Sequence, residues 1–122
     1  MPIVDVEVVG PDAGADDGPL AQALADAAAR VFGAPAATTW VRVRALAPNA
    51  YAENGAPLVA AELPVFVTVR RRDVPARDAL ASEVRALTDA FAAIVRRPAA
   101  RVHVEYAPAL AGRMAFGGTL VE

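Results

Sequence analysis

The amino-acid sequence predicts an α+β fold: two tandem β-α-β units giving one four-stranded mixed sheet, with two helices on one of its faces. Three observations carry this. Four segments alternate apolar and polar residues with a period of two, the pattern of half-buried strands. Two segments between them repeat apolar residues at helical spacing. The landmarks of the first half also recur in the second: Pro2 and Pro64 are 62 residues apart, Pro35 and Pro98 are 63 apart, Val41 and Val102 are 61 apart, and Gly55 and Gly118 are 63 apart. One unit doubled gives a pseudo-repeat over 2–60 and 64–122 within a single domain, 1–122. Two copies are fewer than a solenoid needs, so the reading is a closed domain.

The first strand is IVDVEVV (3–9), with Pro2 at its head, where a residue lacking an N–H costs no ladder bond. GPDAGADDG (10–18) follows as an acidic loop. Asp17 is a candidate helix cap with Pro19 in the first turn, and Leu20, Leu24, Ala27, Ala28 and Val31 form the apolar stripe up to a stop at Gly33. TTWVRVRAL (38–46) is the second strand and PVFVTVRR (64–71) the third. The second helix is expected from near Pro75, capped by Asp73, to about residue 96, with Leu80, Val84, Leu87, Phe91 and Ile94 facing the core. RVHVEYA (101–107) is the fourth strand. YAENGAPLV (51–59) and MAFGGTLVE (114–122) read as small Gly-punctuated edge ribbons suited to pairing with a neighbouring subunit.

Strand parity assigns the faces. Val4, Val6, Val8, Val41, Val43, Val65, Val67, Val69, Val102 and Val104 share the side that meets the helices. The other side carries Asp5, Glu7, Trp40, Arg42, Arg44, Phe66, Thr68, Arg70, His103 and Glu105. Aromatics beside charges of both signs suit a subunit interface or a lined channel better than plain solvation.

Composition narrows the chemistry. There is no Cys and no Lys; all 12 basic residues are Arg, and His103 and Ser82 are the single members of their types. Thiol nucleophiles, Schiff-base lysines, disulfides and thiolate metal sites are excluded. Ser82 lies inside a predicted helix with no His near it in sequence, which argues against a serine triad. One His and unclustered carboxylates give no metal site. A formal charge of −2 argues against nucleic acid, and no apolar run is long enough to span a membrane. No leader pattern is read at the N-terminus, so the expected location is cytoplasmic. A base working near neutral pH must be His103, a perturbed carboxylate or the terminal amine.

MPIVDVEVV, FGAPAATTWVRV (32–43), the aromatic-to-glycine ribbons YAENG and RMAFGG (113–118), and RVHVEYA together resemble the tautomerase superfamily, whose members include 4-oxalocrotonate tautomerase, macrophage migration inhibitory factor and the 3-chloroacrylic acid dehalogenases. The resemblance covers nearly the whole chain and fits a fused, two-unit member. It implies a trimer whose sheets line the centre. It also implies a cofactor-independent tautomerase or isomerase that moves a proton in a small carboxylate-bearing enol or unsaturated keto acid. Pro2, freed by removal of Met1, is then the general base and acid. An apolar pocket and nearby guanidinium groups disfavour its protonated form. Pro64 is its counterpart, but its nitrogen is an amide and has no available lone pair.

The resemblance places the substrate carboxylate on Arg72, or else Arg71, in the run Arg70–Arg72, since guanidinium forks bind carboxylates bidentately. It gives Arg42 the polarising of a carbonyl or enol oxygen. His103 and Glu105 fall near the pocket in the fourth strand, and Tyr106 or Tyr51 is a candidate hydroxyl donor. Two alternatives stand beside this: a hydratase-type dehalogenase or decarboxylase in which Glu105 places water, and a non-catalytic trimeric binding protein.

Overall fold

In a computed structural model, which describes residues 2–10 and 17–122, the chain runs β1 (Ile3–Val9), α1 (Asp17–Phe32), β2 (Trp40–Leu46), β3 (Val65–Arg70), α2 (Arg77–Val95), β4 (Val102–Tyr106), β5 (Ala115–Phe116) and β6 (Thr119–Leu120). The four long strands form one mixed sheet in the order β2-β1-β3-β4. β1 runs parallel to β2 and β3 parallel to β4, as crossover connections through a helix require. The two units meet along an antiparallel β1–β3 seam. The expected fold class is the observed one.

The valine parity holds through the core. Val4, Val6, Val8, Val65, Val67, Val69 and Val102 cluster with Leu24, Ala27 and Ala28 of α1 and Leu87, Phe91 and Ala92 of α2. Val41, Val43 and Val104 pack on the same cluster from the outer strands. The opposite face is open: Trp40 and Phe66 are exposed there. On it Asp5 accepts from Arg42 Nε at 2.6 Å and Nη2 at 2.9 Å, and from Arg70 Nη1.

Several expectations need correction. Asp73 does not cap α2. The helix begins at Arg77 with Ala76 as its N-cap and no side-chain cap bond, while the Asp73 carboxylate accepts from Arg72 Nη1 at 2.7 Å. The 51–59 stretch is not a ribbon but an isolated bridge, Glu53 to Ala56, between short 3-10 turns. The 114–122 stretch does form one, with β5 and β6 antiparallel across Gly117 and Gly118, and Phe116 of β5 meets Trp40 edge-on with ring centroids 5.1 Å apart. Most of the acidic 10–18 loop and the capping side chain of Asp17 lie outside the described residues. Gly33 ends α1 as expected, in the left-handed region at φ 63.

Candidate active site

The β1–β3 register builds the site. Ile3 stands opposite Arg70, so one step further brings Pro2 beside Arg71. On its other flank Pro2 is tied to the second strand, its carbonyl accepting from the Trp40 N–H at 3.0 Å. Pro2 is buried at the head of β1. Two cavities open against it. One, of about 140 Å³, is lined by Pro2, Arg71, Arg72 and Asp73. The other, of about 330 Å³, is lined by Pro2, Arg71, Phe32, Gly33, Ala34, Pro35 and Thr38. Pro2 and Arg71 are common to both and form the divide between them. The polar side comes from the strand end, and the less polar side comes from the exit of α1.

Arg71 is held from two sides. Its Nη1 donates to Glu83 Oε1 of α2 at 2.5 Å, and its guanidinium carbon lies 5.0 Å from the centre of the Phe32 ring. A guanidinium carries five N–H donors, so the Glu83 bond leaves donors for an anion in the cleft. Glu83 also accepts from the Tyr106 hydroxyl. Burial first, and then that hydrogen bond, push the Tyr106 phenol above its ordinary pKa. The result is a relay of contacts from Tyr106 through Glu83 to Arg71 and so to the Pro2 cleft. Arg72 is more exposed, with Nε donating to the main-chain oxygen of Glu122 at 2.5 Å.

The remaining candidates lie elsewhere in the chain. Arg42 sits on the open sheet face with its side chain 65% exposed, bonded to Asp5. It stands opposite Asp5, three residues beyond Pro2, or roughly 10 Å along the strand. Arg70 shares the same carboxylate. The Arg42 hydrogen bond is the chief cause that holds Asp5 below the usual carboxylate range, with Arg70 adding to it. His103 and Glu105 line a third cavity of about 260 Å³ with Phe66 and Thr68, in which Thr68 Oγ1 donates to Glu105 Oε1 at 3.3 Å. The Tyr51 ring lies tilted against Phe66 with centroids 5.9 Å apart, and its hydroxyl donates to Glu53 at 2.6 Å. That bond raises the Tyr51 pKa and lowers that of Glu53, which Arg101 also holds down. So within one chain Pro2, Arg71 and Arg72 come together, Tyr106 supports them from behind, and Arg42, Arg70, His103, Glu105 and Tyr51 occupy the sheet face and its rim.

Glu83 was not among the sequence candidates. The signal for it was its place in α2, three residues after Leu80 and four before Leu87, on the flank of the apolar stripe. A carboxylate there needs partners. Among the described residues no group of three or more His, Cys, Asp or Glu side chains gathers as a metal site, and no helix is long and apolar enough to cross a membrane.

This sheet order, with two helices on one face and a proline heading the first strand, is the fold of solved fused 4-OT and macrophage migration inhibitory factor-like structures. The solved structures it resembles include a fused 4-OT symmetric trimer, at 20% identity and a TM-score of 0.78 over 98% of this chain and 94% of that one. Another is Pt0534 inactivated by 2-oxo-3-pentynoate, at 18% identity and a TM-score of 0.77 over 98% and 94%. A macrophage migration inhibitory factor-like protein from Entamoeba histolytica matches at 11% identity and a TM-score of 0.75 over 98% of each chain. The sequence matches no family model and no curated protein.

Proposed function

We propose that this chain is a cofactor-independent tautomerase or isomerase acting on a small carboxylate-bearing enol or unsaturated keto acid, with Pro2 as general base and acid once Met1 is removed. The observation that carries the reading is the convergence of Pro2, Arg71 and Arg72 on one cleft. A terminal proline is a secondary amine. Burial and two neighbouring guanidinium groups favour its neutral form, which is the form that takes a proton. The same guanidinium groups attract the substrate carboxylate, so one pair of charges both tunes the base and orients the acid. Arg71, braced by Glu83 and Phe32, is the better-organised fork, and Arg72 lies nearer the rim. The neutral amine removes a proton from the enol oxygen or from a carbon next to a carbonyl, and the resulting ammonium returns it to another carbon of the conjugated system. The σ bonds that break and form are C–H, O–H and N–H only; the electron pair left behind shifts the C=C and C=O π bonds along the conjugated system, so no oxidant or reductant is needed.

Arg42 sits on the open face of the sheet and polarises a substrate oxygen only where that face meets another copy of the chain. A homotrimer, the state named for several similar fused 4-OT structures, supplies such a meeting. His103, Glu105 and Tyr51 would take part from the same face. The hydratase-type reading, with Glu105 placing water, needs that assembly too, since Glu105 lines a cavity apart from Pro2. A non-catalytic binding protein would keep its function in Pro2→Ala.

The test has two stages. Intact mass first shows whether the purified protein lacks one methionine. The protein is then treated with 2-oxo-3-pentynoate, the compound that inactivates Pt0534, and assayed for ketonisation of phenylenolpyruvate and 2-hydroxymuconate beside turnover of a 3-haloacrylate. The expected result is one adduct, mapped to Pro2, with loss of ketonisation and little activity left in Pro2→Ala. A retained methionine, or an unlabelled Pro2 in active protein, defeats the proposal.

A further inference from the structure

The two units of the chain treat equivalent positions in opposite ways. α1 and α2 end alike: Gly33 and Arg96 both adopt the left-handed conformation, at φ 63 and 58. The next residue, Ala34 or Arg97, donates its N–H back to the helix, to Ala29 at 2.9 Å and to Ala92 at 3.2 Å. A proline follows in each case. Ala34 and Arg97 are therefore the same position of the repeat, 63 residues apart, with the same backbone setting. Pro2 and Pro64 correspond too, each standing just before its strand. As Pro2 falls beside Arg71, Pro64 falls beside Val9, whose N–H donates to the Pro64 carbonyl at 3.1 Å.

At the first end the helix exit is small, Gly33 and Ala34, and the guanidinium groups come from the strand end, Arg71 and Arg72. The cavity of about 330 Å³ stays open there. At the second end the roles are exchanged. The strand end is Val9 and Gly10, and the arginines come from the helix exit. Arg97 is only 6% exposed, and its Nη1 donates to the carbonyls of Val9 at 2.8 Å and Leu63 at 2.5 Å. Gly10, at φ +125, makes room for it: a Cβ there would stand 3.0 Å from Arg97 Nη2 and 3.1 Å from Leu63 Cδ1. Pro64 is fully buried beneath.

We infer that the second unit holds a closed copy of the Pro2 cleft, a guanidinium-binding site filled by the chain's own Arg97, and that Ala34 is the residue that keeps the first copy open to ligand. The chain then offers one usable cleft for its two units. This does not depend on what Pro2 does.

If the second end is a built guanidinium site, emptying it leaves a cavity with two inward carbonyls that a free guanidinium cation fits. Arg97→Ala is expected to melt about 10 °C below wild type, since two buried acceptors lose their donor. Millimolar ethylguanidinium should restore most of that loss, equimolar ethylammonium should restore little, and wild type should respond to neither. If Arg97→Ala is recovered only unfolded, it is refolded in each cation; recovery of its circular dichroism in ethylguanidinium alone supports the inference, and recovery in neither or in both equally overturns it. An unchanged melting temperature in Arg97→Ala overturns it as well. A crystal structure of Ala34→Arg should show the new guanidinium lying in the cleft beside Pro2; a side chain turned to solvent would remove Ala34 from the inference.

Discussion

Glu83 ties the second helix to the cleft, so its removal is the perturbation whose consequences can be worked out furthest. Its carboxylate is 13% exposed and Arg71 is 23% exposed, so solvent screens the pair only in part. It accepts from Arg71 Nη1 and from the Tyr106 hydroxyl. Hydrogen bonds to a charged group contribute about 1.5–3 kcal/mol each. Glu83→Gln keeps one carbonyl acceptor but loses the charge, so the net loss is about 2 kcal/mol. For a chain of this length that is a fall of about 8 °C in Tm, measured at fixed protein concentration because assembly also stabilises. Tyr106→Phe removes one of the two donors and should cost about 1.5 kcal/mol, the low end of that range. Because both changes break the same contact, the double variant should fall short of their sum by 0.5 kcal/mol or more, on the order expected for touching residues. Denaturant midpoints of the four proteins of that cycle give the answer. Strict additivity, or a Glu83→Gln midpoint indistinguishable from wild type, would mean that Glu83 is a surface carboxylate and that Arg71 is not braced.

Two other outcomes follow from the core and from the sheet face. Phe91 is fully buried between the helices and the valine face, so Phe91→Ala should cost about 3–5 kcal/mol in denaturant unfolding; a cost below 1 kcal/mol would place it outside the core. Asp5 is held below its unfolded pKa by Arg42 and Arg70, so its contribution is present above about pH 4 and is lost as the pH falls through its lower folded value. Asp5→Asn should flatten that acid limb of the stability profile while leaving the slope above pH 6 unchanged, and an unaltered acid limb would show that the two arginines do not hold it.

Much of the fold was legible because strands report their faces with a period of two. Val4, Val6 and Val8 cannot share a side with Asp5 and Glu7, and the same rule fixed every strand of the sheet. The antiparallel seam between the units was less legible, since alternation says which face a residue takes but not which residue it faces. Alternation therefore puts Arg42, Arg70 and Asp5 on one face but does not reveal that they bond to one another. The Asp73 cap failed because a stronger partner, the adjacent Arg72, takes the carboxylate, and the helix starts two residues after Pro75. Glu83 and Arg97 escaped because charged residues near a helix face or end ordinarily point to water. Both are bound through contacts across 12 or more residues, which no local pattern records.

The location of the cleft rests on one register. Pro2 meets Arg71 because Ile3 stands opposite Arg70, and a slip of one residue along the β1–β3 seam would move the proline to a different arginine and turn every valine of β3 toward the open face. The core forbids the slip: Val65, Val67 and Val69 are all at most 1% exposed and packed against both helices. The open face adds its own constraint, because Asp5 bonds to Arg42 on one neighbouring strand and Arg70 on the other, and both bonds are satisfied in one alignment only. Residues far from the cleft therefore position its two principal groups. Whatever else they contact in an assembled oligomer, both arginines already have a task within the chain: Arg70 ties the strand that Pro2 heads to the strand that runs into Arg71, and Arg42 ties that same first strand to β2 on its other side.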